Sequence, residues 1–160
     1  MKFNIQVHNT PMDFYRNGIS FMEAAWRCYG KEDNGEYKII DDGRICQLTA
    51  PTVVNAAFAC EMFFKSLHKH NGIAFPKKHS LVDLFDMLPN DAKSKISRFC
   101  GDKDDETKFR STLLIHANDF VDIRYYVENN DWGRMSPTYM VSLAYNLSEI
   151  TRLLLTTQVS

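Results

Sequence analysis

Ala57-Phe58-Ala59-Cys60-Glu61-Met62-Phe63-Phe64-Lys65-Ser66-Leu67 forms the centre of a helix that opens at Thr49 or Ala50, with Pro51 in its first turn. It runs to Gly72, where Asn71-Gly72 offers a left-handed stop. Val53, Ala57, Cys60, Phe64 and Leu67 share one stripe of this helix and are its expected core face.

Downstream, Ser80-Leu81-Val82-Asp83 is a capping box with aspartate in the acidic position. It starts a short helix carrying Leu81, Leu84, Phe85 and Leu88 and stopped by Pro89. Asn90 is the expected cap of a further helix through about Phe99, and residues 101–105 read as a charged loop. Phe109, Leu113, Phe120 and Val127 then mark one long helix ending near Asn129-Asn130. Ser136-Pro137 opens the last helix, with Tyr139, Leu143, Leu147, Ile150 and Leu154 on its apolar face.

Upstream, Thr10-Pro11-Met12-Asp13 places a capping hydroxyl before a first-turn proline and an acid at the positive helix end. Tyr15, Ile19, Met22, Trp26 and Tyr29 follow at spacings of four and three, and Gly30 ends the segment. Phe3, Ile5 and Val7 alternate with polar residues as in a half-buried strand. Residues 36–48 fold back on Asp41-Asp42-Gly43 as a β-hairpin that could join it. The expected architecture is mainly α: an up-and-down bundle of five to six helices with a small N-terminal strand and hairpin elaboration. One domain spans 1–160, with 1–49 as elaboration and first helix and 50–157 as the helical core.

The bulk numbers exclude several classes. A chain of 160 residues buries a core without staples, and its 44% hydrophobic and 24% charged content is that of an ordinary globular protein. Lysines and arginines number 19 against 20 acids, so attraction to nucleic acid must come from a local patch. Cys28, Cys46, Cys60 and Cys100 are too dispersed for tetrahedral zinc and read as reduced thiols. No metal or cofactor is expected, since glycine-rich nucleotide loops and zinc-protease or hydrolase motifs are absent from the sequence. No apolar h-region or bilayer-length run occurs, so a cytoplasmic location without membrane attachment is expected.

Three groups of residues could carry chemistry. Arg124 falls on the apolar arc of its helix and needs a partner, with Glu128 one turn on and Glu61 and Lys65 facing in from another helix. These four could meet as one polar cluster, either fixing helix register, the favoured reading, or lining a ligand site. His68, Lys69 and His70, continued by Lys77-Lys78-His79, form the local basic concentration, read either as a phosphate-receiving patch or, preferentially, as a solvated helix end. Arg110 and His116 have the chemistry of RNA cleavage: a histidine to deprotonate a ribose 2′-hydroxyl and an arginine to steady phosphorane charge. They stand about 240° apart on a helix, so they would cooperate across a groove or dimer axis. A packed histidine is the preferred reading of His116.

The helix quoted first, followed by Lys78-His79-Ser80-Leu81-Val82-Asp83-Leu84-Phe85-Asp86-Met87-Leu88-Pro89 and by Phe120-Val121-Asp122-Ile123-Arg124-Tyr125-Tyr126-Val127-Glu128, resembles the HEPN (higher eukaryotes and prokaryotes nucleotide-binding) family over residues 50–155. The resemblance implies a helical core, a homodimer, and a place in toxin–antitoxin modules, phage defence or RNA cleavage. Glu61, Lys65, His79, Arg124, Tyr125 and Glu128 are the positions that match the family's blocks. Arg110 and His116, with Ser111 after the arginine, fit the spacing of its nuclease motif, whereas Arg124-Tyr125 has no histidine at that distance. The leading expectation is a HEPN-like accessory or defence-associated protein that binds RNA, a nucleotide or a partner protein through a polar groove. The alternatives are a metal-independent endoribonuclease using Arg110 and His116 in a dimer, and a structural partner of an antitoxin or nucleotidyltransferase.

Overall fold

The computed structural model describes residues 9–30, 36, 48–74, 79–101, 105–116, 123 and 136–157. Six helices lie among the described residues: α1 (Pro11–Tyr29), α2 (Thr49–His70), α3 (Leu81–Asp86), α4 (Asn90–Cys100), α5 (Glu106–Ile115) and α6 (Pro137–Thr156). They form a mainly α bundle, as expected. The strand at Phe3, Ile5 and Val7 and the hairpin about Asp41-Asp42-Gly43 lie outside the described residues.

Local chemistry sets the helix ends. The Asp13 backbone N–H donates to Thr10 Oγ1 at 3.2 Å, and the Asp13 carboxylate accepts from the Thr10 N–H at 3.0 Å, which closes a reciprocal capping box on α1. Gly30 ends that helix at φ 72°, a conformation that glycine adopts without a Cβ penalty. Ser136 accepts from the Tyr139 N–H at 3.3 Å and Pro137 fills the first turn of α6. On α4 the cap position belongs to Pro89, and Asn90 is already helical. The sequence assignment of Asn90 as cap is corrected by one residue.

Helix α2 is the hub, packing against α1, α3 and α6. Val53, Ala57, Cys60, Phe64 and Leu67 are all buried, and so are Ala56, Ala59 and Phe63 on other sides. A helix apolar nearly all round belongs inside a bundle. Small residues let α1 come close: a Cβ on Gly18 would stand 2.5 Å from the Phe63 ring. The buried arc of α1 is therefore centred on Gly18, Ala25 and Tyr29. Trp26, one residue beyond Ala25 and about 100° around the helix, is turned outward and 45% exposed, against its assignment to the core stripe. Tyr15, Ile19 and Met22 pack partly buried against the core. The Tyr29 hydroxyl and Thr138 Oγ1 share a 2.7 Å hydrogen bond that ties the end of α1 to the start of α6.

The long helix expected from Phe109 to Asn129-Asn130 is corrected too. It stops at Ile115, where His116 takes φ −103°, ψ 9° and its N–H donates back three residues to the Leu113 carbonyl at 3.2 Å. The His116 ring instead stacks on Tyr139 of α6, with centroids 4.6 Å apart and 26° between planes. No helix among the described residues is long and apolar enough to cross a membrane.

Candidate functional site

Glu61 sits in the middle of α2 and is only 2% exposed, which makes it the buried acid of the described core. A carboxylate removed from water requires charged or hydrogen-bonding partners. Among the described residues two are supplied, from different elements. Lys65, one turn on, places Nζ 2.5 Å from Glu61 Oε1, in the favourable order of acid before base on a helix. His79 approaches from the α2–α3 connection, with Nδ1 3.1 Å from Oε1 and 3.0 Å from Oε2. An ionised carboxylate only accepts, so His79 donates its Nδ1–H, and the ring is fixed by a fork of two oxygens.

The local sequence accounts for the position of His79. Ser80 takes extended backbone and its hydroxyl accepts from the Asp83 N–H at 3.4 Å, opening α3 immediately after the histidine. The packing of Leu81, Leu84 and Phe85 into the core then holds His79 against α2. The side chain of Lys65 is 12% exposed and that of His79 is 48% exposed, so the cluster runs from a buried carboxylate to a half-open imidazole.

Of the matched positions, Glu61, Lys65 and His79 are thus in contact. Arg124, Tyr125 and Glu128, and with them the expected internal guanidinium, lie outside the described residues. So do Lys77 and Lys78.

The basic segment divides by helix face. Lys69 and His70 are exposed at the end of α2. His68 is fully buried, and its Nε2 pairs with the Leu84 carbonyl at 2.7 Å, bridging α2 to α3. Burial lowers its pKa, partly opposed by that hydrogen bond. The assignment of His68 to a solvated basic patch is therefore corrected. Its spacing from Glu61 and Phe64, seven and four residues, held the signal for an inward position.

Arg110 and His116 engage different helices. The Arg110 guanidinium forks onto Asp86 of α3, Nε to Oδ1 at 2.8 Å and Nη2 to Oδ2 at 2.6 Å, and this pairing raises its pKa further. His116 is 6% exposed and faces α6 through Tyr139. Sequence reading gave no hint of Asp86, because a partner 24 residues away leaves no periodic trace.

Burial pushes the Cys60 thiol well up and the Cys100 thiol up to about 12, so both are poor nucleophiles. Among the described residues no three His, Cys, Asp or Glu side chains group closely enough to hold a metal ion. The strongest candidate site is the Glu61–Lys65–His79 cluster, a buried acid that positions two nitrogen donors at the rim of the bundle. No family model matches the chain, and neither a curated protein nor a solved structure matches it.

Proposed function

We propose that this chain is a HEPN-like binding domain that takes a phosphate-bearing ligand, RNA or a nucleotide, at the rim formed by Lys65, His79 and the basic residues adjoining them. One observation carries the reading: the Glu61 carboxylate, buried within α2, holds an amine and an imidazole at once, and the imidazole reaches the surface directly after Lys77-Lys78 in sequence. Preorganised donors lose little freedom when a phosphate arrives, and a local cluster can recruit a polyanion although the chain as a whole carries a net charge of −1. Lys69, exposed at the end of the same helix, extends the cationic edge, and the exposed His70 follows it.

This reading requires no catalysis. Arg110 is committed to Asp86 and His116 to a packed stack, which supports a structural role for each in the isolated chain.

The test is fluorescence anisotropy of a labelled single-stranded RNA titrated with the protein in chelator, followed by gel analysis of the same RNA. Saturable binding, weakened by Lys69→Ala, Lys78→Ala and His79→Ala with the RNA intact, is the expected outcome. Binding that ignores all three substitutions, or its absence at low salt, overturns the reading. Cleavage abolished by His116→Ala would replace it with the ribonuclease alternative.

A further inference from the structure

A second surface, on the α1–α6 side of the bundle, has chemistry of the opposite sign. Met22, Glu23 and Trp26 from α1 and Val141 and Tyr145 from α6 line a cleft of about 240 Å³. The spacings place one turn of each helix along it. Val141 is buried and forms part of an apolar floor, while Trp26 is 45% exposed and Tyr145 58% exposed at the walls. Large aromatics left in water at this level, side by side on two helices, are the feature that core packing does not explain. The indole is held by a tilted contact with Tyr29, centroids 6.1 Å apart, and Tyr29 is itself anchored to Thr138.

Glu23 gives the cleft its electrical character. Arg27 lies four residues on, the favourable order for a helical ion pair, yet Glu23 makes no ion pair among the described residues. An indole face, a phenol ring and an exposed carboxylate over an apolar floor are complementary to an organic cation. The rings attract it through their quadrupoles and the carboxylate through its charge. The volume falls below the roughly 300–1,000 Å³ of clefts that enclose drug-sized ligands, so it suits a single side chain better than a whole cofactor.

We infer that this cleft receives the guanidinium side chain of an arginine presented by a partner protein, with Trp26 and Tyr145 stacking on it and Glu23 accepting its hydrogen bonds. Planar guanidinium both stacks on aromatic faces and forks onto carboxylates, which a lysine ammonium does less well. The site is independent of the Glu61 cluster, and its failure would leave the phosphate-binding reading untouched.

The probe is an uncharged-ended tetra-arginine peptide, with tetra-lysine and tetra-glutamate peptides as controls. The readout is the indole Nε1–H resonance of Trp26 in a two-dimensional nitrogen–proton spectrum, assigned with Trp132→Phe. A saturable shift of that resonance with tetra-arginine, weaker with tetra-lysine and absent with tetra-glutamate, is expected. Glu23→Gln and Tyr145→Ala, both at exposed positions, should each weaken it about threefold or more. No shift up to about 10 mM peptide, an equal shift with tetra-glutamate or tetra-lysine, or a shift indifferent to both substitutions overturns the inference. A concentration-dependent shift in the protein alone, unchanged by peptide, would assign the cleft to a second copy of the chain and overturn it equally.

Discussion

The Phe63 ring lies directly over the backbone of Gly18, so that a Cβ on that glycine would meet ring carbons at 2.5 and 2.8 Å. Two opposed effects follow for Gly18→Ala. Alanine favours the helix by up to about 1 kcal/mol, but forcing a methyl group against a fully buried ring costs about 1–3 kcal/mol. The clash wins because Phe63 has no exposed side toward which to move. Gly18→Ala should lower stability by about 1–2 kcal/mol, and adding Phe63→Leu should recover part of the loss. Urea unfolding of the single and double variants checks both.

Stability should depend on pH through His68. Burial lowers its folded pKa below the ordinary 6.5, so between the two values the unfolded chain binds the extra proton. The contribution of His68 is thus complete above about pH 6.5 and is lost as the pH falls below it. Comparing the urea midpoint at pH 7.5 and pH 5.5 (roughly one unit either side of the unfolded value) should show a fall. His68→Gln, which keeps a donor toward the Leu84 carbonyl, should flatten it. An equal fall in both proteins would assign the acid sensitivity elsewhere.

Breaking the Glu61 cluster on one side should cost more than removing its charge altogether. Lys65→Ala leaves a buried carboxylate with only His79 among the described residues, which predicts a loss of about 1–3 kcal/mol. The double variant Glu61→Leu with Lys65→Met removes the desolvated charges together and should lie closer to the parent than Lys65→Ala does. Thermal unfolding of the three proteins orders them.

Much of this arrangement was legible locally. Thr10, Ser80 and Ser136 are caps because their hydroxyls meet a backbone N–H three residues on, and that signal is carried within a single turn. The core face of α2 could be read from the spacing of Val53, Ala57, Cys60, Phe64 and Leu67, all of them buried. What escaped depends on neighbours distant in sequence. The rotation of α1 that exposes Trp26 follows from the close approach at Gly18, which only Phe63 reveals. The helix through Phe109 and Leu113 ends where His116 turns toward Tyr139, although the apolar spacing continues to Phe120. His68 was masked by its polar neighbours, Lys65, Lys69 and His70, while its phase on the helix pointed inward. On sequence grounds Arg124 needs an acidic partner, with Glu61 among the candidates; Arg124 lies outside the described residues, and what Glu61 itself holds is a question of neighbours. The partners found among the described residues are Lys65 and, from beyond the helix, His79.

The salt dependence of RNA binding tests the proposed phosphate rim most directly, because each phosphate contact on a single strand contributes about 0.7 to the slope of log K against log salt concentration. Measured for the parent, Lys78→Ala and His79→Ala between low and moderate salt, the slope should fall by about 0.7 in the lysine variant, with binding weakened in both. A slope and affinity the same in all three proteins would contradict the account.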